Sequence, residues 1–377
     1  MRSGALLRMA AAGSGGGSGG GSPPPAPPFP LHCRRTYRAP DRTGSGTGSG
    51  TGTGPPPLRV GCYNVRVDHG SAADGAGRGW EGDRRMLAAR AVLELGCDLL
   101  LLQEPGPPAA ADLRHDLGGE YRVEVRPCDP SRWDGGKEED GAKGRQGQEY
   151  DGNGFVWRPD RLELLDGGPR PFYLSSTPWR AGGNLWDGSP YVRTGVEARF
   201  RDRRTGLVWA AVTAHFDHVG SGARRESARI VMERAKAALA GDSVGRRADE
   251  AVVGGDFNTF PTAAGRDTYD ALALEAEGAG LADVRALPGT TVVDFGASGH
   301  TWRGWEGRSR HCRSENVALH GARLGQDASR LDHVFATRGA EVRWTGVVEG
   351  AGWAEASDHA PIVVEFGCGS GAEDGAS

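Results

Sequence analysis

Short apolar runs alternate along this chain with segments of helical periodicity. The four leucines at 99–102 predict a strand buried on both faces, which is what a sheet covered by helices requires. A second apolar run, at 251–253, leads through two glycines to Asp256. The clearest helical pattern spans residues 223–239, where small and aliphatic side chains share one face and arginines the other. This alternation predicts an α/β protein.

The same pattern places the other elements. Apolar positions near helical spacing predict helices at about 83–95, 109–117 and 263–277. A polar turn at 201–206 between two strand-like runs predicts a hairpin. The hydrophilic stretch 127–150 predicts an exposed loop or lid. Strands are further predicted at 58–64, 121–125, 154–158, 162–165, 191–200, 207–213, 331–337, 342–348 and 362–366.

Low-complexity sequence marks both ends of the chain. Residues 1–57 are largely Gly/Ser, Pro and Gly/Thr tracts, which bury too little apolar surface to offset the entropy of ordering them. We expect a disordered tail there, or a translation start assigned upstream of the true one. Residues 58–367 are expected to form one globular domain and residues 368–377 a flexible tail. No signal peptide or membrane span is predicted, so a cytoplasmic, monomeric protein is expected.

Composition narrows the classes of function. The 377 residues are 37% hydrophobic and 25% charged, with a mean hydropathy of −0.49, as in a globular protein. The formal net charge of −4 gives no basic field for sequence-blind nucleic-acid binding, although a local basic groove stays open. The six cysteines include no Cys-x-x-Cys pair, which argues against a zinc knuckle or redox motif and favours free thiols.

Polar side chains stand at the ends of the predicted strands, where a layered sheet can bring them to one edge. Glu104 and Asp358 offer hard oxygen ligands for Mg²⁺ or Mn²⁺, and Asn64 adds a neutral oxygen. Asp332 is the expected partner of His359 and would keep its imidazole protonated beside a phosphate. The full set is Asn64, Glu104, His215, Asp256, Asn258, Asp332, Asp358 and His359.

These residue types suit phosphoryl chemistry. Asp256 can orient or deprotonate a water molecule. Donors around it can stabilise the charge on the pentavalent phosphorus centre, while a metal ion neutralises the phosphate. The expected donors are Asn258, His215, His218, His359 and Arg193.

Simpler explanations exist for several of these positions. Asp256 and Asn258, which follow the run at 251–255, are also residue types that commonly occur in turns. His215 and His218 have His-x-x-His spacing and, with Asp217, are candidate zinc ligands, but no cysteine or further histidine stands at ligand spacing. Asp332 has Arg330 as an alternative partner.

Six short motifs occur in a fixed order along the chain. The most specific are Gly-Asp-Phe-Asn at 255–258 and Ser-Asp-His-Ala-Pro at 357–361. The others are Gly-Cys-Tyr-Asn at 61–64, Leu-Gln-Glu at 102–104, Thr-Ala-His-Phe-Asp-His at 213–218 and Arg-Leu-Asp-His-Val-Phe at 330–335. In this order they resemble the endonuclease/exonuclease/phosphatase superfamily, which has the deoxyribonuclease-I-like fold. Segments 215–228 and 172–178 are similar to a bacterial branch of uncharacterised hydrolases within it.

The resemblance implies a four-layered α/β sandwich, in which two packed mixed β-sheets are flanked by helices. It implies one site at one end of the sheets, with Mg²⁺ held by Glu104 and water activated by Asp256. The other implied members are Asn64 and Asp358 at or near the metal, Asn258 and His215 at the phosphate, and an Asp332–His359 pair.

The predicted activity is divalent-metal-dependent hydrolysis of phosphate esters, with phosphodiesters favoured over monoesters. The acidic charge balance and the lack of a predicted membrane anchor favour a small or single-stranded substrate. The alternatives are a nuclease acting on DNA or RNA, and a catalytically silent binding module of the same fold. Loss of a metal-binding or water-activating group would indicate the silent module, and none of these groups is missing from the sequence.

Overall fold

The computed structural model describes most of the predicted globular region. The described residues are 56–68, 79–128, 151–241, 245–261, 266–295, 299–302, 330–350 and 352–367. Most of the predicted N-terminal tail (1–55), residues 129–150 of the predicted loop, and the predicted C-terminal tail (368–377) lie outside the described residues. No helix in the described ranges is long and apolar enough to cross a bilayer.

The first sheet has seven strands. They are β1 (Leu58–Asn64), β2 (Leu99–Gln103), β3 (Arg122–Pro127), β4 (Gly152–Trp157), β11 (Thr291–Val292), β13 (Val342–Val347) and β14 (Ile362–Phe366). Their order across the sheet is β11-β13-β14-β1-β2-β4-β3. β1 runs parallel to β2 and β11 parallel to β13, whereas the other neighbours are antiparallel. The sheet is therefore mixed.

The second sheet also has seven strands and is also mixed. They are β5 (Leu162–Leu164), β6 (Arg170–Tyr173), β7 (Thr194–Asp202), β8 (Val208–His215), β9 (Glu250–Asp256), β10 (Leu281–Asp283) and β12 (Asp332–Thr337). The order is β10-β12-β9-β8-β7-β5, and β6 pairs with β7 beside this path. Only the β8–β9 pair is parallel among the described strands of this sheet.

Helices cover the outer face of each sheet. The helices are α1 (Arg85–Leu95), α2 (Pro107–Leu117), α3 (Ser221–Ala240) and α4 (Arg266–Gly278). Apolar side chains of α1 and α2 pack on the first sheet, and those of α3 and α4 on the second. A third cluster, which includes Leu101, Phe155 and Val252, fills the space between the sheets. The predicted four-layered α/β sandwich is confirmed.

Strand direction brings the candidate residues to one edge of the sandwich. β8 and β9 end there, and β12, antiparallel to β9, begins there. The register places Asp256 opposite His215 on one side and opposite Asp332 on the other. In the facing sheet, Asn64 ends β1 level with Gln103, which immediately precedes Glu104. Two sheets therefore deliver polar side chains to a common site.

Several element boundaries differ from the sequence prediction. The sequence prediction does not include β6, β10 and β11, because runs of four, three and two residues are too short to show alternation. The helix predicted from residue 83 begins at Arg85, after a separate π-helical turn (Trp80–Arg84) in which Gly82 has non-helical angles. The helix predicted at 263–277 is observed as Arg266–Gly278, with residues 262–265 outside the described ranges.

We expect Gly255→Ala to destabilise the protein because β8 passes too close for a side chain at this position. A Cβ on Gly255 would lie 2.0 Å from the carbonyl oxygen of Ala214, so the β8–β9 ladder would have to open. The expected loss is about 1–3 kcal/mol of unfolding free energy, as for other overpacked sites. Urea denaturation measures it. Gly278→Ala is the control, since a Cβ there meets nothing within 4 Å, and an equal effect of both changes would contradict the packing argument.

Candidate active site

One carboxylate oxygen lies at the centre of the converging side chains. Oδ2 of Asp256 is 3.5 Å from Nε2 of His215 and 3.6 Å from Nε2 of His359. Nδ2 of Asn64 donates to this oxygen at 3.0 Å and to Oε1 of Glu104 at 2.8 Å. All five side chains are buried. Residues separated by almost 300 positions in the sequence thus share one small volume.

Glu104 is held as a carboxylate at the end of β2. Burial opposes its ionisation, but the nearby His215 and Arg66 and the hydrogen bond from Asn64 outweigh that cost and keep the pKa of Glu104 well below its usual range. The Val67 amide donates to its second oxygen, Oε2, at 2.9 Å. Glu104 therefore presents an ionised, oriented group, which suits a cation.

Asp332 and His359 form a tight pair, with Oδ2 and Nδ1 2.8 Å apart. Burial disfavours a charged imidazole, but Asp332 and Asp256 more than compensate and raise the pKa of His359 to about 10. The alternative partner of Asp332, Arg330, lies instead 3.9 Å from Asp283. His359 is consequently a cation at neutral pH, with Nε2 directed to Asp256.

Burial and the neighbouring Asp332 raise the pKa of Asp256. Its other oxygen, Oδ1, accepts from the backbone amide of Asn258 at 3.1 Å. The Asn258 side chain donates to the carbonyl of Phe216 at 3.1 Å and so ties the loop after β8 to the loop after β9. The predicted contact of the Asn258 side chain with a phosphate remains a prediction.

Arg193 connects the two histidines of the His-x-x-His segment. Its Nη1 lies 3.0 Å from Nδ1 of His215, and its Nη2 lies 3.1 Å from Nδ1 of His218. Burial and the guanidinium charge lower the pKa of His215 to about 4 and also lower that of His218. Both imidazoles are therefore neutral at pH 7 in the arrangement described.

Asp151 is a buried member of the cluster that the sequence analysis omits. Its Oδ2 lies 3.7 Å from Arg193 and 3.9 Å from His215. Burial raises the pKa of Asp151 to about 7. The charge of Glu104 acts in the same direction, whereas the charge of Arg193 lowers the pKa. A sequence signal was available, because Asp151 directly precedes the strand β4 just as Asp332 opens β12.

Two proposed metal ligands occupy other environments. The amide nitrogen of Asn64 faces the acids, while its oxygen accepts from the backbone amide of Arg66 at 2.9 Å. In this arrangement Asn64 orients the two acids, and its role as an oxygen ligand of the metal remains a prediction. Asp358 lies 3.7 Å from Arg66 and accepts from the Trp302 indole at 3.4 Å.

Carboxylate and imidazole atoms are close enough to share a metal in two groups of the described residues. One is Glu104, His215 and Asp256, and the other is Asp256, Asp332 and His359. Asp358 belongs to neither group. The predicted alternative, zinc at His215, His218 and Asp217, does not assemble, because Asp217 accepts from the amides of Ser189, Val219 and Gly220. Asp217 instead fixes the loops around the site.

The donor set fits a hard divalent cation. Within the described residues, Oδ1 of Asp332 and Oδ1 of Asp151 are buried without a hydrogen-bond partner. Burying a carboxylate oxygen is costly unless a cation or a hydrogen-bond donor interacts with it. Oxygen-rich sites are the kind that Mg²⁺ and Mn²⁺ prefer.

Backbone strain concentrates at the same edge. Arg66, Glu104 and Asn258 have φ values of 61°, 64° and 48°, in the left-handed region that favours glycine. Each such residue costs on the order of 1–3 kcal/mol, so the surrounding structure must hold it in place. Strain of this kind is typical of functional sites.

A sequence model described as the Endonuclease/Exonuclease/phosphatase family matches residues 61–359. This chain belongs to the endonuclease/exonuclease/phosphatase family. Members of this family are generally hydrolases of phosphate esters. A search of curated proteins finds no match.

Several solved structures share the fold of this chain. A Bacteroides vulgatus endonuclease/exonuclease/phosphatase is 23% identical with a TM-score of 0.60, covering 82% of this chain and 98% of its own. A Bacteroides thetaiotaomicron mannosyl-6-phosphatase is 24% identical with a TM-score of 0.61, covering 82% and 99%. A functionally unknown Enterococcus faecalis protein is 16% identical with a TM-score of 0.60, covering 82% and 99%. At these identities the likeness concerns the fold alone.

The Asp332–His359 pair predicts a loss of stability on the alkaline side. The folded-state pKa of His359 is about 10, above the unfolded value near 6.5, so its stabilisation is complete below about pH 6.5 and disappears as the pH rises towards 10. Urea denaturation with EDTA at pH 6–10 should show a decline on the order of a few kcal/mol. His359→Gln should remove most of this decline, and an unchanged pH dependence in that variant would contradict the assignment.

Proposed function

We propose that this protein is a divalent-metal-dependent phosphodiesterase. The observation that carries the proposal is the placement of Asp256 Oδ2 between the Nε2 atoms of His215 and His359, at 3.5 and 3.6 Å. This arrangement puts a proton acceptor beside a cationic donor among buried side chains, as attack of water on phosphorus requires. The side chains of this site come from six motifs that lie far apart in the sequence.

Glu104 is the proposed principal metal ligand. Its ionised carboxylate is oriented by Asn64 and Val67, and further donor atoms on His215 and Asp256 stand close by. A divalent cation held there would neutralise the phosphate and polarise its oxygen. Mg²⁺ is proposed because the donors are mainly carboxylate oxygens, and Mn²⁺ is the alternative.

The remaining groups act on protons and on the charge of the phosphate. Asp256 orients or accepts a proton from the attacking water, with Asn64 fixing the position of its Oδ2. His359, kept cationic by Asp332, donates towards a phosphate oxygen. Arg193 and Asn258 complete the proposed phosphate contacts.

The charge of the site favours phosphodiesters over monoesters. It gathers five buried carboxyl groups, those of Glu104, Asp151, Asp256, Asp332 and Asp358. Two guanidinium groups, of Arg66 and Arg193, stand near them. A diester enters with one negative charge and a monoester with up to two, so the repulsion between substrate and carboxylates is smaller for the diester.

The second candidate function is a nuclease acting on DNA or RNA, which is a phosphodiesterase with a polymeric substrate. A panel of bis-p-nitrophenyl phosphate, p-nitrophenyl phosphate, plasmid DNA and RNA, each with Mg²⁺, Mn²⁺ or EDTA, separates the candidates. We expect metal-dependent hydrolysis of the diester to exceed that of the monoester. Activity on the monoester alone would reject the phosphodiesterase, and no hydrolysis by correctly folded protein would indicate a silent binding module.

Asp256→Asn should lower the rate constant for diester hydrolysis by about 100-fold or more, because a carboxamide cannot accept the proton of water. The measurement is kcat with bis-p-nitrophenyl phosphate at saturating Mg²⁺. Asp267→Asn, a change of the same type at an exposed position on α4, should leave kcat near the parent value. A rate for Asp256→Asn within a few-fold of the parent would reject its role.

Glu104→Gln should weaken binding of the metal while the fold is kept. The affinity for Mn²⁺, measured by calorimetry without substrate, should fall by about tenfold or more, since even groups that only support a ligand cost 10–100-fold. Glu277→Gln, at an exposed position, is the matched control. Unchanged Mn²⁺ affinity in Glu104→Gln would remove this residue from the metal site.

A further inference from the structure

Arg84 is a buried arginine that is not one of the catalytic candidates. Its side chain is only 1% exposed, which is rare for a group that is always charged. It ends the π-helical turn (Trp80–Arg84) that precedes α1. The proposed mechanism does not use this residue, so its burial needs another reason.

The guanidinium group of Arg84 binds backbone carbonyls of two separate segments. In the loop after β1, Nη2 donates to the carbonyl of Val65 at 3.0 Å and also to that of Arg66. In the 3₁₀ turn (Ala354–Ala356) before β14, the carbonyl of Ala356 accepts from Nε at 3.3 Å. A planar fork of donors can reach all three oxygens, whereas the compact ammonium group of a lysine lacks this geometry. One side chain therefore joins the two segments.

The loop after β1 carries the groups that orient Glu104. The side chain of Asn64 donates to its Oε1 at 2.8 Å, and the amide of Val67 donates to its Oε2 at 2.9 Å. Arg66, between them, has a φ of 61°, and its amide donates to Oδ1 of Asn64 at 2.9 Å. A strained turn of this kind persists only where its surroundings hold it. Arg84 does so by binding the carbonyl of Arg66, and both oxygens of Glu104 keep their donors.

The turn before β14 leads to His359. Ser357 donates from its hydroxyl to the carbonyl of Asn64 at 2.7 Å and accepts from the amide of His359 at 3.1 Å. Arg84 binds the carbonyl of Ala356, the residue before this serine. Arg84 and Ser357 thus tie the turn to the loop after β1 at two neighbouring points.

Trp80 holds the guanidinium group in place. Cζ of Arg84 lies 5.6 Å from the centroid of the Trp80 ring, within the range of a cation–π interaction. The Trp80 indole in turn donates to Oδ2 of Asp112, on α2, at 2.9 Å. The side chain that joins the two segments is therefore anchored to the helical layer outside the first sheet.

We infer that Arg84 is a positioning residue of the active site, which fixes the loop after β1 and the turn before β14 relative to each other. Through these two segments it keeps Glu104 and His359 in place around Asp256. Arg84 itself touches neither substrate nor metal in this role. The expected effect on turnover rests on the proposed phosphodiesterase function, whereas the expected effect on the two segments does not.

Hydrogen exchange of the folded protein in EDTA measures the effect on the two segments. In Arg84→Ala, the amides of residues 64–67 and 356–359 should lose protection, because both segments open more readily. Arg161→Ala is the matched control, since Arg161 is also buried, pairs with Asp202 and binds the chain before the start of β1. It should lower overall stability and leave the protection of these two segments close to that of the rest of the protein. An equal, uniform loss of protection in both variants would overturn the inference.

The affinity for Mn²⁺, measured by calorimetry without substrate, gives a second test. It should fall by about tenfold in Arg84→Ala, the lower end for a group that supports a metal ligand, and kcat for bis-p-nitrophenyl phosphate should fall with it. Free guanidinium, well below denaturing concentrations, should restore part of both. Arg161→Ala should keep both near the parent values under conditions in which it is folded.

Arg84→Lys separates geometry from charge. It keeps the positive charge but loses the planar fork, so the affinity for Mn²⁺ should stay low and the two segments should remain less protected. Parent-like affinity and protection in Arg84→Lys would overturn the inference. This variant also gives the comparison if Arg84→Ala does not fold.

Failure of the inference and failure of the proposed function are distinguishable. A parent protein that neither binds Mn²⁺ nor hydrolyses the diester would reject the proposed function, and the hydrogen-exchange comparison would still decide the role of Arg84. A parent protein that does both, with an Arg84→Ala variant equal to it in exchange and in Mn²⁺ affinity, would reject the inference alone.

Discussion

The candidate active site depends on the register of three neighbouring strands. His215, Asp256 and Asp332 stand opposite one another on β8, β9 and β12, so their side chains project from one level of the second sheet. A slip of one residue would turn each side chain to the opposite face. The register is held by continuous apolar packing on both sides of the strands. Gly255 allows β8 to approach β9 closely just before Asp256.

The first sheet supplies Asn64 and Glu104 to the site. Asn64, at the end of β1, reaches across the sandwich to Asp256 and also holds Glu104. The hydroxyl of Ser357 donates to the carbonyl of Asn64 at 2.7 Å and accepts from the amide of His359 at 3.1 Å, which fixes the turn before β14. Neither sheet alone supplies both Glu104 and Asp256, so the candidate site exists only where the two layers meet.

This arrangement has an energetic cost that the rest of the fold must offset. Like charges are buried together, and three residues adopt left-handed backbone angles at the same edge. The three apolar layers of the sandwich supply the opposing stabilisation. The opposite charges of His359 and Arg193 reduce the repulsion between the buried carboxylates.

The residue pattern was enough to predict an α/β protein with polar side chains at the strand ends, because periodicity is a local property of the chain. The four-layered sandwich and the family followed from the resemblance that six short motifs carry. The folded arrangement was needed to show that Asp332 pairs with His359 and not with Arg330, that Asn64 directs its nitrogen to the acids, and that Asp151 joins the cluster. Side-chain partners that lie 27 to 192 residues apart in the chain depend on strand register and on packing between the layers, which no local sequence pattern encodes.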